Sequence, residues 1–148
     1  MRFTKLTTTA ITPTRGTAGS AGLDLHAEAD ALVSSGASVL VGTGIAVEIP
    51  EGYVGLVFIR SGLSKAGVGL TNSVGVIDSD YRGEIKLSMT YVAGSGGHYI
   101  RARDRVAQLV VISAPAFDLV EVDALSNTGR GEGGFGRAGV DPGVRLAG

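Results

Sequence analysis

An all-β barrel or sandwich is the architecture expected of this chain of 148 residues. Short apolar runs recur at close spacing between small turn residues, as in β domains built of many brief strands. Glycine fills 24 of the 148 positions, against a usual share of about 7 per cent. Only residues 61–66 have a helical look, with Ser61 placed to cap one short turn. With four prolines and 44% hydrophobic residues the chain is turn-rich and globular, neither disordered nor collagenous. Its length suits one core-bearing domain.

Val39-Leu40-Val41, Ile45-Ala46-Val47-Glu48-Ile49 and Tyr53-Val54-Gly55-Leu56-Val57-Phe58-Ile59 are strand-like runs. Pro50-Glu51-Gly52, between the last two, predicts a hairpin turn. Residues 85–91 alternate cleanly: Ile85, Leu87, Met89 and Tyr91 share one face, and Lys86, Ser88 and Thr90 the other, the pattern of a half-buried strand. Gly94-Ser95-Gly96-Gly97 reads as a loop. Residues 107–112 are nearly continuously apolar and are expected to form a fully buried strand. A further strand over 117–122 is expected after Pro115. From 126 onward the chain is too poor in apolar side chains to build a core. Residues 1–125 are therefore expected to form the β domain, and 126–148 a flexible glycine-rich arm.

Thirteen Lys and Arg against fourteen Asp and Glu give a net charge of −1. No global field draws such a chain onto nucleic acid or a membrane, and direct binding to either is not expected. The absence of Cys, with His26 and His98 the only histidines, excludes thiol chemistry, disulfides and the His/Cys zinc site of nucleobase deaminases. The two histidines read as surface or structural residues. No apolar stretch approaches a membrane span, the first residues lack a signal-peptide core, and a cytoplasmic location is expected.

Five segments offer chemistry. Asp24 stands between Leu23 and Leu25, where a charge is costly unless paired; it is either a structural hydrogen-bonder or a metal-associated carboxylate. Arg60-Ser61-Gly62 closes an apolar strand and opens the helical turn, so a guanidinium, a hydroxyl and amide N–H groups can converge on phosphate oxygens, the plainer reading being an ordinary N-cap. Asp78 and Asp80, if extended, share one face and can hold a cation or activate water; the alternative is an Asp-rich turn. Gln108, polar inside an apolar run, must be hydrogen-bonded to the protein or to a ligand. The arm offers glycines for close backbone approach to an anion, Arg130 and Arg137 for charge and Phe135 for a flat apolar face, which suits a nucleotide; the alternative is a solubilising tail. Its overlapping G-x-G-x-x-G frames lack the strand and helix of a dinucleotide fold.

Taken in order, AGLDLHA from Ala21, RSGLS from Arg60, NSVGVIDSDYRGEI from Asn72, DRVAQLVV from Asp104 and GRGEGGFG from Gly129 resemble the five motifs of the trimeric dUTP nucleotidohydrolase (dUTPase) family. The resemblance implies a jelly-roll-like β-barrel assembled as a homotrimer with shared active sites, each closed by the arm. It further implies hydrolysis of dUTP to dUMP and pyrophosphate, limiting uracil incorporation into DNA and supplying dUMP for dTMP synthesis. On this resemblance Asp78 activates the attacking water. Tyr81 lies against the deoxyribose, and Asn72 with the hairpin backbone of Gly75 and Ile77 reads the uracil edge. Arg60, Ser61, Gly62 and Gln108 hold the phosphates, Arg130 holds the terminal phosphate, and Phe135, between Gly134 and Gly136, covers the uracil. Mg²⁺ is held mainly by the triphosphate, with Asp24 touching the waters of the metal. The chain departs from the family pattern at Ile59, often proline, at Arg103, usually glycine, and at Arg137-Ala138-Gly139, often Ser-Thr-Gly. The rivals are the fold-sharing dCTP deaminase, alone or as a bifunctional deaminase-dUTPase, and a non-catalytic nucleotide-binding or regulatory protein.

Overall fold

The structure, a computed structural model, describes residues 1–133. It divides into two compact units, Met1–Ala116 and Phe117–Gly148.

The first unit holds ten strands and one helix: β1 (Arg2–Lys5), β2 (Leu23–His26), β3 (Ala31–Ser34), β4 (Val39–Glu48), β5 (Tyr53–Ile59), α1 (Ser61–Lys65), β6 (Val68–Leu70), β7 (Gly75–Ile77), β8 (Glu84–Tyr91), β9 (Gly97–Ile100) and β10 (Arg105–Ser113). They form two four-stranded sheets, in the orders β1-β4-β8-β6 and β2-β10-β5-β7, and a β3-β9 ribbon, all antiparallel. The all-β expectation holds, and these sheets are open-edged: no closed barrel is present among the described residues.

One core joins the sheets. Val41, Ile45 and Val47 of β4 and Ile85, Leu87 and Met89 of β8 meet Leu25, Val57, Ala107 and Leu109 from the other sheet. The period-2 pattern of 85–91 appears as expected, with Ile85, Leu87 and Met89 buried and Lys86 exposed. Burying one such aliphatic side chain contributes about 1.5–3 kcal/mol, so these alternating strands are the main source of cohesion.

Three expectations are corrected. Pro50-Glu51-Gly52 does form a tight turn, with Gly52 at φ 78° and Tyr53 N donating to Pro50 O at 3.2 Å. It carries the chain from one sheet to the other instead of closing a hairpin, because β4 pairs with β1 and β8 while β5 pairs with β10 and β7. β10 is central in its sheet but only half buried: Leu109 faces the core and Ile112 faces outward. A continuous apolar run cannot reveal that one of its faces lacks a cover. Residues 117–122 carry no strand, and Leu119 is 100% exposed. Apolar content favours an extended segment but does not supply the neighbouring strand that its amides must pair with.

The short strands β1, β2, β3 and β9 have four residues each and too few apolar positions to declare themselves in the sequence. All four residues of β1 are exposed, and its place is set by its ladder to Ile45–Glu48 of β4. No helix among the described residues is long and apolar enough to cross a membrane.

Candidate functional site

Asp24 of β2 lies opposite Gln108 of β10, which lies opposite Phe58 of β5, so the three occupy one row across the sheet. Asp24 is 3% exposed and both of its oxygens are occupied. Oδ1 accepts from Arg60 Nη1 at 2.5 Å and from Gln108 Nε2 at 3.0 Å, and Oδ2 accepts from Arg105 Nη1 at 3.3 Å. Arg60 reaches this carboxylate because it follows β5 directly, with extended backbone at φ −71° and ψ 142°. Of the sequence alternatives for Asp24 and Gln108, the structure shows the two hydrogen-bonded to each other. Burial alone raises the pKa of Asp24; the hydrogen bonds from Gln108 and Arg60, the charge of Arg60 and the bond from Arg105 outweigh it and leave the carboxyl below its ordinary value.

Two guanidiniums share this one carboxylate, which leaves the cluster positively charged and suited to an anion. Arg60 is 26% exposed and Arg105 55%, so both remain open to a partner in solution. Nearby His26 is shifted toward its neutral form. Burial lowers its pKa; Asp24 opposes this, and Arg105, Arg60 and Arg103 add to the lowering. Its Nδ1 is buried without a hydrogen-bond partner.

No group of three or more His, Cys, Asp or Glu side chains is placed to hold a metal among the described residues. A cation set directly on Asp24 would meet two guanidiniums. Oδ2, however, accepts one hydrogen bond, and a carboxylate oxygen can accept two. The donor set thus fits a cation carried by a polyphosphate whose bound water reaches Asp24.

Ser61 and Gly62 are the first residues of α1 and both are exposed. The residue before the helix is Arg60, and no side chain caps the turn, so the expected Ser61 cap is replaced. An N-cap needs extended φ/ψ, which Arg60 has and Ser61, already helical, has not. A Cβ on Gly62 would meet no atom within 4 Å.

Residues 71–74 cross between the sheets, and no ladder joins β6 to β7; the expected hairpin is a tight crossover turn. Ser73 sits at φ 60°, and Val74 N donates to Asn72 O at 2.6 Å. Asn72, Gly75 and Ile77 line a slot of about 20 Å³ beside Lys86 and Ser88. β7 is the edge strand of its sheet, and an edge presents unpaired N–H and C=O groups that can pair with a planar ligand. Ile77, Asp78 and Tyr81 line a larger cleft of about 230 Å³, together with Val76, Glu84 and Lys86. Asp78 is exposed and directly follows β7, while Ser79 and Asp80 turn, with Tyr81 N donating to Asp78 O at 3.2 Å. The extended arrangement that would put Asp78 and Asp80 on one face is therefore not formed.

The site residues fall into two groups. Ile77 lies opposite Gly55, which puts Asp78 beside Val54, six residues before Arg60 along the chain. At about 3.3 Å per residue this is roughly 20 Å, farther than a triphosphate extends. In the second unit, Arg130 Nε donates to Gly133 O at 2.8 Å. Gly134, Phe135, Gly136 and Arg137 lie outside the described residues.

Arg105 is the contributor the sequence did not single out. Its signal was faint: it is one of three arginines at 101, 103 and 105, and it sits at the start of β10 beside a register shift between Arg105 and Ala107. Lys86 was legible only as part of the polar face of its strand. Arg103, at φ 76°, explains the glycine usual there, since the turn demands a left-handed residue.

A family model described as dUTPase matches residues 8–139. A deoxyuridine 5'-triphosphate nucleotidohydrolase of Corynebacterium glutamicum is 44% identical over 128 residues, covering 86% of this chain and 86% of that protein. One from Nautilia profundicola is 40% identical over 140 residues, covering 94% of this chain and 98% of its own. In three dimensions, a mutant dUTPase of Staphylococcus bacteriophage 80alpha with dUpNHpp gives a TM-score of 0.81 at 26% identity, over 94% of this chain and 98% of that one. A family model matched over most of the sequence, relatives of this identity and the same strand architecture lead to one conclusion: the chain belongs to the dUTPase family.

Proposed function

We propose that this protein hydrolyses dUTP to dUMP and pyrophosphate, acting in the cytoplasm to keep uracil out of DNA and to supply dUMP for dTMP synthesis. The observation that carries the proposal is the cationic cluster of Arg60 and Arg105 around buried Asp24 in a chain of this family. Held rigidly by one carboxylate, those guanidiniums and the Gln108 amide are oriented before substrate arrives. Such preorganisation lets them stabilise charge developing on a pyrophosphate leaving group.

Asp78, exposed at the end of β7, is the base. Its carboxylate takes a proton from water as the water oxygen bonds to the α-phosphorus, and the bond from that phosphorus to the oxygen bridging to the β-phosphate breaks. The electron pair leaves with pyrophosphate. A positioned base of this kind supplies about 10²–10⁴ in rate. Tyr81, beside Asp78 in the same cleft, bounds the sugar and excludes a 2′-hydroxyl. Asn72 and the exposed edge of β7 read the uracil, with Gly75 and Ile77 contributing backbone groups. Ser61 and Gly62 complete the phosphate contacts. Mg²⁺ carried by the triphosphate would neutralise part of its charge when bound, and Asp24 is the residue that would hold one of its waters.

The separation of roughly 20 Å between Arg60 and Asp78 supports a homotrimer in which one copy brings the phosphate cluster and another brings Asp78. On this reading residues 1–125 are the assembling β domain and 126–148 the arm that closes the site, with Arg130 on the terminal phosphate and Phe135, flanked by Gly134 and Gly136, over the uracil.

The test is pyrophosphate release from dUTP, dTTP, dCTP and UTP, with and without Mg²⁺, with products separated by chromatography. Metal-dependent conversion of dUTP alone is expected. Consumption of dCTP would assign the chain to the deaminases of this fold, and binding without turnover would make it a regulatory nucleotide binder.

A further inference from the structure

We propose that Gly83 is a positioning residue for Tyr81: its missing side chain is the seat on which the tyrosine ring rests. The inference rests on the reading of Tyr81 as the wall beside the sugar.

A Cβ built on Gly83 runs into Tyr81 Oη and comes within 2.6 Å of Cζ and 3.0 Å of Cε2. The ring lies back over the backbone of Gly83, where Oη donates to Glu84 O at 3.0 Å. The other groups around Tyr81 fix its main chain. Its N–H donates to Asp78 O at 3.2 Å, and Arg82 Nη1 donates to Ser79 O at 2.7 Å and to Tyr81 O at 2.9 Å. With the backbone held, the remaining freedom of Tyr81 is the direction of its ring, and Gly83 decides it.

Glycine is not required at this position for a turn. Gly83 is absent from the residues with positive φ, which include Gly52, Gly67 and Gly94. An alanine can adopt its backbone without strain. What must yield to a methyl group is the tip of a side chain that is 43% exposed, not packed backbone. Gly83→Ala therefore spares the fold and turns the ring out of its seat, into the cleft it shares with Asp78. Gly67 is the contrast: it has φ 85°, and a Cβ there meets Ala93 and Tyr91, so a substitution there strains backbone and packing together.

The experiment compares wild-type protein with Gly83→Ala, Tyr81→Ala and the double variant. It measures kcat/KM for dUTP and UTP, thermal melting without nucleotide, and the NMR signals of ring-labelled tyrosine. The chain has four tyrosines, and Tyr81→Phe assigns the signal. In Gly83→Ala the melting transition is expected to stay and the Tyr81 signal to move. The dUTP/UTP preference should fall at least about tenfold, the scale on which pocket shape discriminates. In the Tyr81→Ala background, Gly83→Ala is expected to change nothing further, because the two positions act as one.

An unmoved Tyr81 signal, or additive losses in the double variant, overturns the proposal. So does a Gly83→Ala chain that no longer folds, since the glycine would then serve the backbone. If Tyr81→Ala keeps the full dUTP preference while Gly83→Ala still moves the ring signal, the sugar-wall reading falls and the seat stands.

Discussion

Replacing Asp24 by Asn tests whether the carboxylate organises the cationic cluster. The amide oxygen can take the place of Oδ1 and keep its bonds from Arg60 and Gln108, but the amide NH₂ then faces Arg105, donor against donor. Arg105 is 55% exposed, and releasing it to water costs at most about 1 kcal/mol. The bond from Arg60 loses half of its ionic character, about 1 kcal/mol. A guanidinium that is 26% exposed is left without its counter-charge, a further penalty of about 1–2 kcal/mol. The sum is about 2–4 kcal/mol, below the full cost of breaking a buried pair because both arginines reach solvent. For a chain of this length that lowers the melting temperature by roughly 6–15 °C.

The control is Glu48→Gln, which disrupts the surface pair with Arg2 (side chains 34% and 84% exposed) and should cost less than about 1 kcal/mol. Calorimetry of both variants at neutral pH reads the contrast. The pKa of Asp24 is depressed in the folded protein, so its contribution is fully present above the ordinary carboxyl value near 3.8 and is lost as pH falls through the lower folded value. The gap between wild type and Asp24→Asn should therefore narrow below about pH 4. An Asp24→Asn melting point no lower than that of Glu48→Gln would falsify the account of Asp24 as organiser.

Asp78→Asn keeps the shape of the exposed side chain and removes the proposed base; turnover of dUTP should fall about 10²–10⁴-fold while binding measured by calorimetry persists, and near-normal turnover rejects the assignment. Deleting residues 129–148 removes Arg130 and Phe135 but none of the ten strands, so hydrolysis should vanish while sedimentation still finds the assembled protein; dissociated chains would make the arm structural. Arg103→Gly relieves a left-handed non-glycine residue at φ 76° and should raise the melting temperature, the relief of about 1–2 kcal/mol being partly offset by glycine entropy; an unchanged or lower melting point counts against strain there.

The legible parts of this fold are those whose signal is local. The alternation over 85–91 gives β8 and its buried face directly, and the lone helical look of 61–66 gives α1 within one residue. Partnership was not legible. Nothing in Pro50-Glu51-Gly52 tells whether its turn closes a ladder or changes sheets, because that depends on which strands lie beside β4 and β5. The same limit explains 117–122, whose apolar content suits a strand and whose partner strand is absent among the described residues. In the site, motif order singles out Asp24, Arg60 and Gln108, but the bonds among them depend on a three-strand register. Arg105 was missed because a bulge, which follows no simple sequence rule, sets its direction.

The placement of Arg60 and Asp78 at opposite ends of the β5-β7 pair also bears on inheritance. If every site draws its phosphate cluster from one copy and its base from another, a defect in either belongs to half a site and not to a chain. Arg60→Ala and Asp78→Asn chains, each inert alone, would then rebuild some intact sites when mixed and reassembled. A cell carrying both defective alleles would keep part of its activity, whereas a cell with two copies of either would keep none.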